Sequence, residues 1–215
     1  MKIFCLGDSI TDCGRLFDDH PLGNGYVKLL SQKFSQNNPN ASSPIELKNY
    51  GTDGFTVSRI LDNVLQKRIP FCPSSVITLL VGINDLGLMK NTRRTACQQE
   101  QMMEDFFVRY DHLLALLTQE TPAVILMEPF IFPFPEEYKL WIPQVKQMSQ
   151  GIEALASKYS LPYLLLHDHF NEIAAQSGYS SVTIDGIHLT PYGQQILADR
   201  LYPLIQAALD KQLRS

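Results

Sequence analysis

The sequence lacks a Lys/Arg-rich run, a long apolar run and any C-x-x-C pair, and each gap closes off a class of function. With no basic cluster and a formal net charge of -4, neither a nucleic-acid partner nor a polybasic membrane contact is expected. The apolar runs fall far short of the roughly 18 residues a membrane span needs. The opening stretch Met1-Lys2-Ile3-Phe4-Cys5-Leu6 is too short for the apolar part of a secretory signal, so a cytoplasmic protein is expected. The 4 cysteines, Cys5, Cys13, Cys72 and Cys97, are widely spaced and read as reduced thiols rather than a zinc site or a disulfide framework. Asn40-Ala41-Ser42 fits a glycosylation sequon, which has no meaning without secretion. The nucleotide fingerprints, the metalloprotease H-E-x-x-H and the G-x-S-x-G of ordinary α/β-hydrolases are also missing.

What remains is an ordinary globular composition, 45% hydrophobic and 19% charged over 215 residues, and one domain spanning 1–215 is expected. Short apolar runs alternate with longer amphipathic stretches. The runs are Ile3 to Leu6, Ile45 to Leu47, Val76 to Val81, Val124 to Met127 and Tyr163 to Leu166. Most are apolar throughout, as in strands of a parallel sheet buried on both faces. Helix-like segments lie between them: Gly25 to Phe34, Val57 to Lys67, Gln98 to Gln119, Glu137 to Tyr159, a short one near Asn171 to Gln176, and a last one from Pro191 to about Leu209. Thr190 suits the N-cap of the last helix, and Pro203 is expected to bend or break it. The alternation predicts a doubly wound α/β domain, whose chemistry should gather just after the strand ends.

Ser9 follows the first run, in Gly7-Asp8-Ser9-Ile10-Thr11-Asp12, where Gly7 would let the chain turn tightly. A serine there is more often a cap than a nucleophile, and as a nucleophile it needs a base. Asp185-Gly186-Ile187-His188 offers one: His188 as base, with Asp185 fixing the imidazole tautomer. Asp and His three apart also arise by chance. Asn49 to Thr56 follows the second run and exposes backbone N–H groups; Asn84 in Gly82-Ile83-Asn84-Asp85 follows the third and offers an amide. Acyl transfer through serine needs two or three donors for its oxyanion, and the N–H groups of Ser9 and Gly54 with the amide of Asn84 would supply them.

Together these segments resemble the SGNH hydrolases, also called the GDSL family. Gly7-Asp8-Ser9-Ile10 matches the first motif block, with isoleucine where the family name has leucine; Gly54 matches the second, Gly82 to Asp85 the third, and Asp185 to His188 the last. The resemblance implies a three-layer α/β/α sandwich of the flavodoxin-like SGNH type, with a parallel sheet of about five strands. It also implies Ser9 as nucleophile, His188 as base and Asp185 as its partner. Gly7 to Arg15, Leu22 to Val27 and Ile125 to Phe130 look like the acetyl xylan esterase branch. Relatives in that branch carry an aromatic residue just before the last aspartate, where this chain has Ile184. The expected activity is removal of acetyl groups from small carbohydrate esters such as acetylated xylo-oligosaccharides, with no cofactor and no metal. The alternatives are an SGNH esterase of other specificity, such as a lysophospholipase or thioesterase, and a non-catalytic carbohydrate-binding protein.

Three segments compete for attention. His167-Asp168-His169 holds three possible metal ligands, but Asp168 also suits an N-cap and at most two of the three converge on one strand face. Asp18-Asp19-His20 reads as a surface loop. Glu128 to Pro135, followed by Trp141-Ile142-Pro143, is a proline-rich aromatic stretch. It suits a pocket wall, a homo-oligomer contact, or a loop folded back on the core.

Overall fold

The computed structural model describes residues 1–17, 19–37, 44–91 and 93–214. The sequon Asn40-Ala41-Ser42 and Asp18 lie outside them. Five parallel strands form one sheet: β1 (Lys2–Gly7), β2 (Glu46–Gly51), β3 (Ser75–Leu80), β4 (Val124–Met127) and β5 (Tyr163–Leu164), in the order β2-β1-β3-β4-β5. Their connections carry α1 (Ser9–Asp12), α2 (Tyr26–Asn37), α3 (Val57–Leu65), α4 (Ile83–Lys90), α5 (Ala96–Glu120), α6 (Ile142–Lys158), α7 (His167–Ser177), α8 (Tyr179–Val182) and α9 (Pro191–Arg214). Helices α3, α4, α5 and α6 pack on one another, as do α2, α7, α8 and α9, and the sheet lies between the two groups. This is the three-layer α/β/α arrangement.

The inner strands are mostly apolar because both of their faces are covered. Every residue of β3 and β4 is buried. The outer strand β2 differs. It runs on through Asn49, Tyr50 and Gly51, past the apolar run Ile45 to Leu47, and its burial alternates with period two. An edge strand with one wet row of side chains need not be continuously apolar. At the other edge, β5 is two residues long and Leu165 and Leu166 are not part of it.

Two helix expectations change. Pro203 lies inside α9 without ending it. The stripe Leu197, Leu201, Ile205 and Leu209 is buried on both sides of the proline, so packing holds the helix through the missing N–H. Thr190 does cap this helix, its Oγ1 accepting from Gly193 N at 3.2 Å. Asp168 does not cap α7. That helix starts earlier, at His167, and the carboxylate of Glu128 at the end of β4 accepts from Leu166 N at 2.6 Å and His167 N at 2.7 Å. A residue 38 positions upstream thus satisfies the helix terminus. None of the described helices is long and apolar enough to cross a membrane.

Candidate active site

The sheet register sets the site. Gly7 at the end of β1 pairs with Gly51 on one side and Leu80 on the other. The loops carrying Ser9, Gly54 and Asn84 therefore leave the sheet side by side, beside the point where the strand order reverses. Helix α1 begins at Ser9, with Asp8 as N-cap accepting from Ile10 N at 3.0 Å. Gly7 allows the turn through its lack of a side chain, since a Cβ there would lie 2.2 Å from Thr11 Oγ1 and 2.6 Å from Leu80 O. Absence of that atom lets α1 sit directly on the strand ends.

Distant residues hold α1 in place. Asn49 Nδ2 donates to Thr11 O at 2.7 Å and Leu22 O at 2.8 Å. Gln194, buried in α9, accepts from Tyr26 N at 2.8 Å and donates to Ile10 O at 3.4 Å. The buried Tyr26 hydroxyl lies 3.0 Å from Thr11 Oγ1. Sequence reading named none of these supports. Their signal, a polar residue on a buried face, appears only once the faces are known.

The loop between α8 and α9 supplies the other half. It is closed by a bridge between Thr183 and Leu189. Thr183 Oγ1 donates to His188 O and accepts from Gly186 N, each at 2.8 Å. Asp185 Oδ1 accepts from Ile187 N at 2.9 Å and His188 N at 2.8 Å, and its Oδ2 lies 2.6 Å from His188 Nδ1. His188 Nε2 lies 2.9 Å from Ser9 Oγ. Ser9, His188 and Asp185 thus form one hydrogen-bonded line, although 179 positions separate the serine from the histidine. Burial raises the Asp185 pKa, but the hydrogen bonds from His188 and from two backbone N–H groups outweigh it and hold the carboxyl below its usual value. A carboxylate held ionised against Nδ1 leaves Nε2 to face the serine hydroxyl as acceptor.

The aromatic stretch turns out to buttress this loop. Phe130, Ile131 and Phe132 are wholly buried and Trp141 nearly so, while Phe134 stays half exposed. Phe132 N donates to Gly186 O at 2.9 Å. Gly186 has φ +95, and a Cβ there would lie 1.7 Å from Phe134 O. Only glycine fits between Asp185 and His188 at this contact.

Around Ser9, the backbone N–H groups of Ser9 and Gly54 meet no acceptor among the described residues. Asn84 Nδ2 donates to Phe55 O at 3.0 Å, which places its amide next to Gly54 and leaves its second N–H. Two buried carboxylates lie behind the site. Burial raises the pKa of Asp8 and of Asp85, each to about 7, and Asp85 accepts from Val57 N, the first residue of α3, at 3.1 Å. A cleft of about 330 Å³ opens over Ser9 and His188, lined also by Phe17, Ile184 and Leu189. Among the described residues, no group of three or more His, Cys, Asp or Glu is placed to hold a metal ion. His167 and Asp168 open α7, where Asp168 pairs with Lys146 at 3.2 Å.

A model of the GDSL-like lipase/acylhydrolase family matches residues 5–196. An acetylxylan esterase of Geobacillus stearothermophilus is 25% identical over 206 residues, covering 92% of this chain and 90% of that one. Among solved structures, an α/β hydrolase from the metagenome of Lake Arreo superposes with a TM-score of 0.80 at 21% identity, covering 97% of this chain and 95% of that one. The crystal structure of the Geobacillus acetylxylan esterase gives 0.78 at 22% identity, with 95% and 93% covered.

Proposed function

This chain belongs to the GDSL-like lipase/acylhydrolase family, and is thereby a serine ester hydrolase; from that premise we propose that it removes acetyl groups from small carbohydrate esters such as acetylated xylo-oligosaccharides. The observation that carries the chemistry is the line Ser9–His188–Asp185 at the floor of an open cleft. The carbohydrate side is supported by the likeness to an acetylxylan esterase and by Phe17. That ring is 91% exposed at the mouth of the cleft, where a sugar ring could cover it.

In this reading His188 Nε2 takes the Ser9 proton while Oγ attacks the acetyl carbonyl. The oxyanion meets the N–H groups of Ser9 and Gly54 and the second N–H of Asn84. The tetrahedral intermediate collapses as His188 protonates the departing sugar oxygen, which leaves acetyl-Ser9. Water then enters, gives a proton to His188 and attacks the acyl carbonyl. Acetate leaves and the proton returns to Ser9.

One observation favours a second reading. Ile184 and Leu189 make part of the cleft apolar, and about 330 Å³ is more space than an acetyl methyl fills. An esterase for longer chains, a lysophospholipase or thioesterase, would gain up to about 0.8 kcal/mol per CH₂ buried there. Acetate release from acetylated xylo-oligosaccharides, run beside nitrophenyl esters of increasing chain length, separates the two. The proposal expects sugar deacetylation, a preference for the acetyl ester and no turnover by Ser9→Ala. Rising kcat/KM with chain length and an untouched sugar would replace it with the second reading. Turnover by a folded Ser9→Ala would remove both.

A further inference from the structure

A second cleft, of about 370 Å³, opens at the Gly54 turn and is not lined by His188. Asp53 lines both clefts, so the two are neighbours with Asp53 between them. The wall of the second cleft is one face of α3 and its cap: Arg59, Asp62, Asn63 and Gln66, spaced i, i+3, i+4 and i+7. Phe55 closes the end nearest Gly54, and Arg68 the other, its Nη1 donating to Asn63 Oδ1 at 3.1 Å. The candidate chemistry uses none of the four wall residues.

The lining selects its ligand by charge and by hydrogen-bonding type. Asp53 and Asp62 face the cleft together with Arg59 and Arg68, so the formal charges cancel. An anion or a cation would meet repulsion as well as attraction there. Among the described residues, Arg59 forms no ion pair and Asp62 none either, so both keep their hydrogen-bonding capacity. Forked donors next to carboxylate and amide acceptors match vicinal hydroxyls, each of which donates and accepts. Phe55, partly buried, adds an apolar surface for ring C–H groups. The volume lies at the small end of the range for small-molecule pockets.

We propose that this second cleft is a subsite for an uncharged sugar unit of an oligosaccharide whose acetylated unit lies over Ser9, so that the enzyme acts on chains in preference to single sugars. The inference rests on the deacetylase reading above and gives that reading a direction, along α3.

The test compares kcat/KM for acetylated xylotriose, acetylated xylose and nitrophenyl acetate in wild type, Arg59→Ala and Asn63→Ala, with a melting curve for each. Wild type should favour the trimer over the monomer about 10-fold or more. Each substitution should erase most of that ratio, because it removes a hydrogen-bonding partner available only to the longer ligand. Equal rates on trimer and monomer in wild type, or a trimer preference that survives both substitutions, would overturn the subsite alone. If neither sugar is deacetylated while nitrophenyl acetate is hydrolysed, the deacetylase reading fails and the subsite with it.

Discussion

Replacing Gly186 with alanine should disable the enzyme through backbone placement alone, since no reacting group is altered. The new Cβ would lie 1.7 Å from Phe134 O, where side-chain carbons keep at least 3.0 Å. One of the two loops must yield by more than about 1 Å. Phe134 follows three residues packed into the core, whereas Asp185 and His188 are each close to half exposed. Phe134 is itself half exposed, so the displacement divides between its loop and the one carrying Asp185 and His188, and part of it reaches the candidate site. A displacement of ~1 Å at a reacting group costs on the order of 10² in rate. The alanine also inherits φ +95, and the Phe132 to Gly186 bond weakens. The combined stability cost is about 2–4 kcal/mol, within what a domain of this size survives. The assay is kcat/KM on nitrophenyl acetate beside a thermal melt. We expect a drop of about 100-fold and a Tm lower by roughly 5–15 °C. Activity within about threefold of wild type at unchanged Tm would show that this contact does not set the loop.

Asn84→Ala should lower kcat about 10²–10³-fold while KM barely moves, because the donor acts on the transition state; a loss confined to KM would place Asn84 in ground-state binding instead. Asp85→Asn tests the buried carboxylates. Burial raises Asp85 from 3.8 to about 7, so the native state holds its proton better than the unfolded chain does. Its contribution to stability is full at low pH and is lost as pH rises from about 4 through about 7, by up to about 4 kcal/mol. Wild-type Tm should therefore be lower at pH 8 than the variant's pH trend allows, and identical pH profiles for the two proteins would refute the shift. Gln194→Leu removes the buried bonds to Tyr26 N and Ile10 O, and should lower Tm by roughly 3–10 °C; an unchanged Tm would mean that α1 is held by other contacts.

The inner strands were legible because burial on both faces leaves a simple apolar signature. Val76 to Val81 and Val124 to Met127 agree with β3 and β4 to within a residue. Legibility failed where long-range contacts decide local structure. The end of β2 lay beyond the apolar run because Asn49 and Gly51 are polar or small, yet Asn49 is the residue that fastens α1. The start of α7 is fixed by Glu128, and the continuity of α9 by the packing of its stripe. At the site, the residue types were readable but their supports were not. The contact of Gly186 with Phe134 has no signal in the sequence, and of the three readings left open for the aromatic stretch the burial of Phe130, Ile131 and Phe132 favours the loop folded back on the core.

The two outer strands also bear on how the protein behaves when crowded. A free strand edge invites another chain to pair with it, and that route leads to aggregation. Here β5 offers only two residues, too few to template a new strand. Along β2, Lys48 and Glu46 form an ion pair at 2.5 Å, and charged side chains on an edge oppose the flat approach that pairing needs. Self-association of this molecule would therefore join side-chain surfaces and leave the sheet at five strands, so concentrated solutions should gain no β-structure by circular dichroism.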